Sequence, residues 1–411
     1  MKKIIIPVVF ALIGGFAPLF AQSDFQPGQA KVTAAVLNVR NIASSGGEVV
    51  GSLKRGDVID VIDRSKSMST VDDISDYWYK ATFTDGKDTK TGWVFGGYVS
   101  FELNMESGLR WKNLSPSKGQ KLSAIAASES GDIYAGTEQG NVFVSSDRGK
   151  TWNKIVPQAL GVSIGRINRI LFSGKAVFVA SKGGNRGGVW KSANGGSSWA
   201  QFTSSQGLLS NEVNDIIAAP DKSIYAATDK GISMSSDQGM TWSALNDDGL
   251  KGTPLSLAVT AEGVIVAGTT EGLFMVQNVK GLLGGAKTEW VRLGKKAPNM
   301  GPVVGTVAIS GAGDMFAGTS KGLTRSVVSK SEAWAGVGGQ TVVNDIVLEQ
   351  SGRIIVATDN GLNISLDNGA SWATYKKENG LASNRITKIC VRKKDKVIWV
   401  ISADEGVSFH E

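Results

Sequence analysis

The sequence predicts an all-β protein in two parts: a small antiparallel barrel followed by a seven-bladed β-propeller. Three observations predict it. Short apolar–polar alternations broken by Gly-Asp and Asp-Gly pairs fill residues 31–101, the pattern of half-buried strands joined by tight turns. Tryptophans at 111, 152, 199, 242, 290, 334 and 372 then recur at intervals of 41, 47, 43, 48, 44 and 38 residues; a period of about 44 residues suits one four-stranded blade. Finally, 52 Gly against 9 Pro in 411 residues indicate many tight turns rather than disorder.

The chain starts with Lys2 and Lys3, then an apolar stretch over 4–20 ending at Leu19-Phe20-Ala21. A basic start, an apolar middle and a small residue at the cut are the marks of a secretory signal, here residues 1–21. Pro7, Gly14, Gly15 and Pro18 interrupt the stretch, which makes it a poor membrane anchor. The only cysteine, Cys390, is far from the cut, so lipid anchoring is not expected. No later run is apolar enough to span a bilayer, and the mature chain is expected to be periplasmic or secreted. Its formal charge of +7 falls to +5 once Lys2 and Lys3 are removed. A balance this modest fits a solvated surface, with no nucleic-acid partner and a monomeric state expected. One cysteine also excludes an intramolecular disulfide, so stability must come from packed apolar area.

After a linker at 22–30, the barrel covers residues 31–103, with strand patterns at 31–40, 49–57, 58–62, 78–83 and 92–95. The spacing of Leu37-Asn-Val-Arg40, Leu53-Lys-Arg-Gly-Asp57, Trp78-Tyr79 and Gly92-Trp93-Val94 resembles the bacterial SH3 domain. An insertion at 65–76 departs from that family's short loop; it is polar and reads as a solvent-exposed excursion. The resemblance implies a groove that binds cell-wall peptide or another ligand, with Trp78, Tyr79, Trp93 and Tyr98 as its candidate residues. The competing reading makes Trp78 and Trp93 core packing, because aromatic rings bury large apolar areas.

A second linker, 104–110, leads to the repeats of 111–411. Four segments share one signature: Ser145-Ser-Asp147-Arg-Gly149-Lys-Thr151-Trp152, Ser192-Ala-Asn194-Gly-Gly196-Ser-Ser198-Trp199, Ser235-Ser-Asp237-Gln-Gly239-Met-Thr241-Trp242 and Ser365-Leu-Asp367-Asn-Gly369-Ala-Ser371-Trp372. Gly accepts positive φ, Asp or Asn oxygens accept turn N–H groups, and Trp packs on the neighbouring sheet. The signature resembles the Asp-box of the BNR repeat family. A second element, as in Gly131-Asp-Ile-Tyr-Ala-Gly-Thr137 and Gly352-Arg-Ile-Ile-Val-Ala-Thr358, resembles the two-component regulator propeller repeat. Related propellers also occur in the photosystem assembly factor family. Inner strands are predicted at 123–127, 167–172, 213–218, 255–259, 304–309, 343–348 and 386–391. The last unit lacks an outer strand, and residues 111–114 have no unit of their own. The simplest closure pairs the two, which removes an exposed edge. Blades four and five lack the signature, which implies different hairpins there.

In a propeller the strand 4-to-1 and strand 2-to-3 loops share one face around the channel; the Asp-box turns lie on the other. Asp147, Asn194, Asp237 and Asp367 are therefore expected to be structural. The loop face collects Arg166, Asn168, Arg169, Lys182, Arg186, Asn211, Asn214, Lys230, Lys251, Lys295, Lys296, Lys321, Asn344 and Asn384. It reads as basic and amide-rich, suited to an acidic or carbohydrate ligand; the competing reading is a solvated rim with turn-forming Asn.

Several chemistries are excluded. One histidine, His410, and one cysteine cannot build a His/Cys zinc site, and a catalytic triad would have to use the penultimate residue. Sialidases carry an Arg-Ile-Pro-like segment; Arg166-Ile-Asn168 lacks the Pro, and Tyr134, Tyr225 and Tyr375 sit at repeat positions. Cys390 lies in an apolar inner strand, as a buried inert thiol does. No metal, cofactor or catalytic residue is expected. The leading expectation is a non-enzymatic binding or scaffold protein of the cell envelope, its barrel holding cell-wall peptide or a partner and its propeller face holding a protein or glycan. The alternatives are a glycosidase or lyase using loop acids such as Glu271 and Asp404, and an envelope assembly factor or ligand sensor.

Overall fold

The computed structural model describes residues 28–410 except 33, 66–68, 72–73, 86–87, 102–109, 118, 156–163, 246–248, 281–285, 312, 328–333, 338–340, 350–351, 367–368, 370 and 404–405. The signal segment expected at 1–21 lies outside the described residues, as do Asp367 and Asp404.

The first part is one seven-stranded antiparallel sheet. Its order is Val49–Lys54, Val36–Arg40, Asp88–Phe95, Trp78–Asp85, Val58–Arg64, Gly28–Val32 and Val99–Phe101. Alternation decides which side chains enter the core, because successive residues of a strand face opposite ways. Leu37 and Val39 point inward from one strand, and Ile59 and Val61 from another. The insertion at 65–76 adds a two-stranded hairpin, Ser69–Val71 paired with Ile74–Asp76.

The second part is a ring of seven four-stranded antiparallel sheets among the described residues. Six are contiguous in sequence. The seventh joins Ile386–Val391, Ile398–Ser402 and Gly406–His410 to the outer strand Trp111–Leu114, with Trp111 opposite His410 and Leu114 opposite Val407. The expected closure is therefore observed. We number the blades from Leu122–Ala127, so this seam is blade seven. Seven apolar clusters fill the spaces between neighbouring blades. Ala124, Tyr134 and Val142 of blade one, for example, meet Ile167, Val177 and Trp190 of blade two.

Because each blade is covered on both faces, its second strand is buried throughout, as at Ile133–Thr137 and Ile354–Thr358. That is why these strands read as unbroken small and apolar runs. Gly136 shows the limit: a Cβ there would lie 2.5 Å from Ile167 Cγ2 of the next blade. The inner strands carry a bulge after their first residue, as between Val213 and Asp215 and between Val343 and Asp345. Blade four replaces the turn signature with a long hairpin, Gly272–Lys280 against Ala286–Leu293.

The barrel meets the ring at blade five. Arg325 donates to the Tyr77 hydroxyl at 3.3 Å and to Asp314 Oδ2 at 2.9 Å. The Arg64 guanidinium lies 4.0 Å from the Tyr77 ring centroid, a cation–π geometry. Among the described residues no helix is long and apolar enough to cross a membrane.

Candidate functional site

The Ser-x-Asp turns behave as the sequence predicts. Asp147 accepts the Thr151 N–H at 2.9 Å and the Thr151 hydroxyl at 2.6 Å, while Ser145 Oγ accepts Gly149 N–H at 2.7 Å. Asp237 does the same for Thr241, while Asn194 accepts the Ser198 N–H and donates its own amide to the Ser198 hydroxyl, both at 2.9 Å. The Thr151 bonds lower the Asp147 pKa to about 2, and Thr241 likewise holds Asp237 well below the usual carboxylate range. Trp152, Trp199 and Trp372 each donate their indole N–H to the turn glycine carbonyl, at 3.1, 3.0 and 3.0 Å. These groups are engaged within their own turns.

On the loop face, the second-strand threonines build the 2-to-3 turns. Thr228, Thr269, Thr319 and Thr358 are buried, and each accepts a turn N–H, from Lys230, Glu271, Lys321 and Asn360 respectively. Lys230 and Lys321 are thereby held out into solvent on blades three and five. Arg166, Lys182 and Arg186 belong to blade two, with Arg186 exposed in a short 3-10 turn. Lys230 and Glu271 line a polar depression of about 330 Å³ with Asp229, Thr253 and Thr270.

The expected basic, amide-rich face needs two corrections. Its amides are occupied: Asn168, Asn214 and Asn344 donate to the carbonyls of Val213, Pro254 and Ile386 on the next blade, at 2.8, 2.7 and 2.8 Å. Asn211 and Asn384 accept the turn N–H groups of Ser204 and Lys377. Its charge is mixed, because acids from adjacent blades meet the cations. Arg166 pairs with Glu138 at 2.8 Å and Arg385 with Asp359 at 3.2 Å, while Glu212 accepts the N–H groups of Gly183 and Gly184. Arg169 differs from the rest. It projects into the central channel, 3.6 Å from Asp215, and that carboxylate raises its pKa further.

The barrel aromatics divide in two. Trp78 and Tyr79 are 2% and 0% exposed and lie in the interior, Trp78 against Phe95 at 5.4 Å between ring centroids. This corrects their expected place in a groove: alternation sends Tyr79 into the barrel core, while Trp78, on the opposite face, is buried against Phe95. Trp93 and Tyr98 remain half-exposed. Tyr77 and Arg64, which touch the ring through Arg325, were not singled out in the sequence. No short motif marks an arginine that meets a tyrosine 248 residues away.

Cys390 is buried in the seam blade, and burial pushes its thiol pKa up, away from nucleophilic use. Among the described residues no cluster of three His, Cys, Asp or Glu is placed to hold a metal.

This architecture, a small barrel joined to a closed ring of blades, suggests a binding or scaffold role. Residues 35–100 match the model of the bacterial SH3 domain family. No curated protein sequence matches the chain. Among solved structures it is similar to YCF48 bound to D1 peptide, at 17% identity and a TM-score of 0.57, over 73% of this chain and 96% of that one. It is also similar to the extracellular domain of the hybrid two component system BT3049 from B. thetaiotaomicron (15% identity, TM-score 0.61, 74% of this chain, 42% of that one). A third similar structure is a catalytically inactive histidine variant of virginiamycin B lyase from Staphylococcus aureus with quinupristin (12% identity, TM-score 0.57, 74% of this chain, 98% of that one). At these identities the likeness is one of propeller fold.

Proposed function

We propose that the chain is an exported, non-enzymatic scaffold of the cell envelope. The barrel takes a cell-wall peptide or protein partner through the surface around Trp93 and Tyr98, and the loop face of the ring holds a protein or glycan. The observation that carries this reading is the mixed-charge rim of Arg166, Glu138, Lys230, Glu271, Arg385 and Asp359 on rigid turns. Charges of both signs, fixed in position and spread over several blades, suit a broad complementary partner better than one small reacting group. Two further points favour binding over catalysis. The lyase neighbour is described as inactive when a histidine is replaced, whereas the only histidine here, His410, sits on the seam strand with its ring 5.9 Å from that of Trp111. The turn acids are spent on backbone N–H groups. The extracellular sensor domain and the peptide-bound neighbour support the same class of role.

The test is retention of the intact mature chain on purified sacculi and in envelope cross-linking. We expect retention that falls about tenfold with Trp93→Ala or Tyr98→Ala, as for interface aromatics, and cross-links that are lost with Lys230→Glu plus Lys321→Glu. An intact chain that neither binds sacculi nor cross-links to any envelope protein would overturn the proposal.

A further inference from the structure

In three blades the inner-strand residue just after the bulge has a shared task. Asp215 Oδ2 accepts the Leu257 N–H of the next blade at 2.8 Å, Ser256 Oγ accepts that of Val307 at 3.1 Å, and Asp345 Oδ2 accepts that of Ile389 at 2.9 Å. These bonds stitch blade to blade beside the channel. In blade two the position holds Arg169, which cannot accept. The next amide, Ile216 N–H, turns instead to Asp215 Oδ1 at 2.9 Å. Ile346 N–H turns to Asp345 Oδ1 in the same way, at 3.1 Å, so the missing stitch is shared and the guanidinium in its place is what distinguishes blade two.

That cation is only loosely held, by the charges of Asp215 and Asp345. Arg169 carries five N–H donors, yet among the described residues its only polar partner is Asp215 Oδ1, at 3.6 Å and beyond hydrogen-bond reach. Its side chain remains 43% exposed to the lumen. It borders a channel cavity of about 280 Å³ that also touches Ile125, Phe172 and Ile346 and carries one further charge of each sign, Lys393 and Glu129. The walls are inner strands that each pair with one neighbour only; Asp345 takes the Ile346 and Ile389 N–H groups, and other groups of the second edges are left to the lumen. The cavity has the volume of about nine waters, at roughly 30 Å³ each, near the lower end of ligand pockets.

We propose that this channel cavity binds a small organic carboxylate with a short apolar portion. Arg169 receives the carboxylate in a bidentate pair. The strand edges meet its polar groups, and the Ile and Phe side chains cover its apolar part. The site lies within the channel and not on the loop face, so it stands or falls separately from the envelope-scaffold reading.

The probe is hexanoate, titrated into the intact mature chain by calorimetry or saturation-transfer NMR up to tens of millimolar, with hexanamide as its neutral isostere. We expect hexanoate to saturate and hexanamide to bind at least about tenfold more weakly, the usual margin of a charge-assisted pair over a neutral one. Arg169→Gln should lose about the same factor. Asp215→Asn removes the competing charge, although it keeps only one of the two oxygens that accept the Ile216 and Leu257 N–H groups, so it should bind hexanoate more tightly. Equal binding of acid and amide, no saturation by hexanoate, or unchanged affinity in folded Arg169→Gln would each overturn the proposal. If Arg169→Gln does not fold, Asp215→Asn decides: tighter binding supports the site, and unchanged or weaker binding overturns it.

Discussion

Blade one and blade seven are both four-stranded sheets in the same ring, but they are held together differently. Blade one runs without a break from Leu122 to Ile155. Its third and fourth strands are joined by a turn closed by hydrogen bonds between Ser145 and Trp152, with Arg148 reaching out to Asp395 of blade seven. Blade seven takes three strands from the end of the chain and its fourth from residues 111–114. The Ser408 hydroxyl donates to Asn113 Oδ1 at 2.6 Å across 295 residues. With no 3-to-4 connection, it has no place for a Ser-x-Asp turn. It relies on large aromatics: Trp111 packs on Tyr375 and His410, and Trp399, fully buried, stacks on Phe409 at 4.4 Å and meets Trp152 of blade one. A blade with local turns pays its closure entropy in short steps; a seam must be held by buried area once the ring has formed.

The strongest way to break this comparison is to remove the seam strand. Deleting residues up to and including Leu114 should lower the thermal midpoint by at least about 10 °C or yield aggregates. Loss of the Trp111 side chain alone is expected to cost about 3–5 kcal/mol, at about 2–4 °C per kcal/mol, and the strand edge of Gly406–His410 is left open. A truncated ring that melts like the intact protein would show that the seam is dispensable.

A smaller effect comes from the aromatic contact between the two blades. Trp399→Ala should cost about 3–5 kcal/mol in denaturant unfolding, and Trp152→Ala on half-buried blade-one Trp152 should cost less. Equal costs would mean that the two blades are not supported differently.

The smallest effect is acid sensitivity, which belongs to the turns and not to the seam. Asp147 and Asp237 have depressed folded pKa values. Their contribution is therefore present above the unfolded carboxylate value of about 4 and is lost as pH falls toward about 2. The thermal midpoint should drop across that window, and Asp147→Asn with Asp237→Asn should flatten the drop. Asn194 already serves the same turn without a charge. An unchanged acid profile in the double variant would assign the sensitivity elsewhere.

The sequence by itself determined the blades. Their boundaries are set by contacts a few residues apart: the Thr-built turns, the Ser-x-Asp turns and the small, apolar second strands that must be covered on both sides. Even the seam was legible, because one end of the repeat lacked a strand and the other had one to spare. Trp78 and Tyr79 were less legible: adjacent aromatics read equally well as groove or core until the fold buried both, Tyr79 in the barrel core and Trp78 against Phe95 on the other face. What only the tertiary structure decided is which charges meet. Arg166 finds Glu138, Arg325 finds Tyr77, and Arg169 is left facing the channel, because each depends on loops and strands brought together from different blades or from the barrel. Hydrogen bonds and ion pairs act only at contact distance, so a pattern in the chain can place such a group on a face but cannot choose its partner.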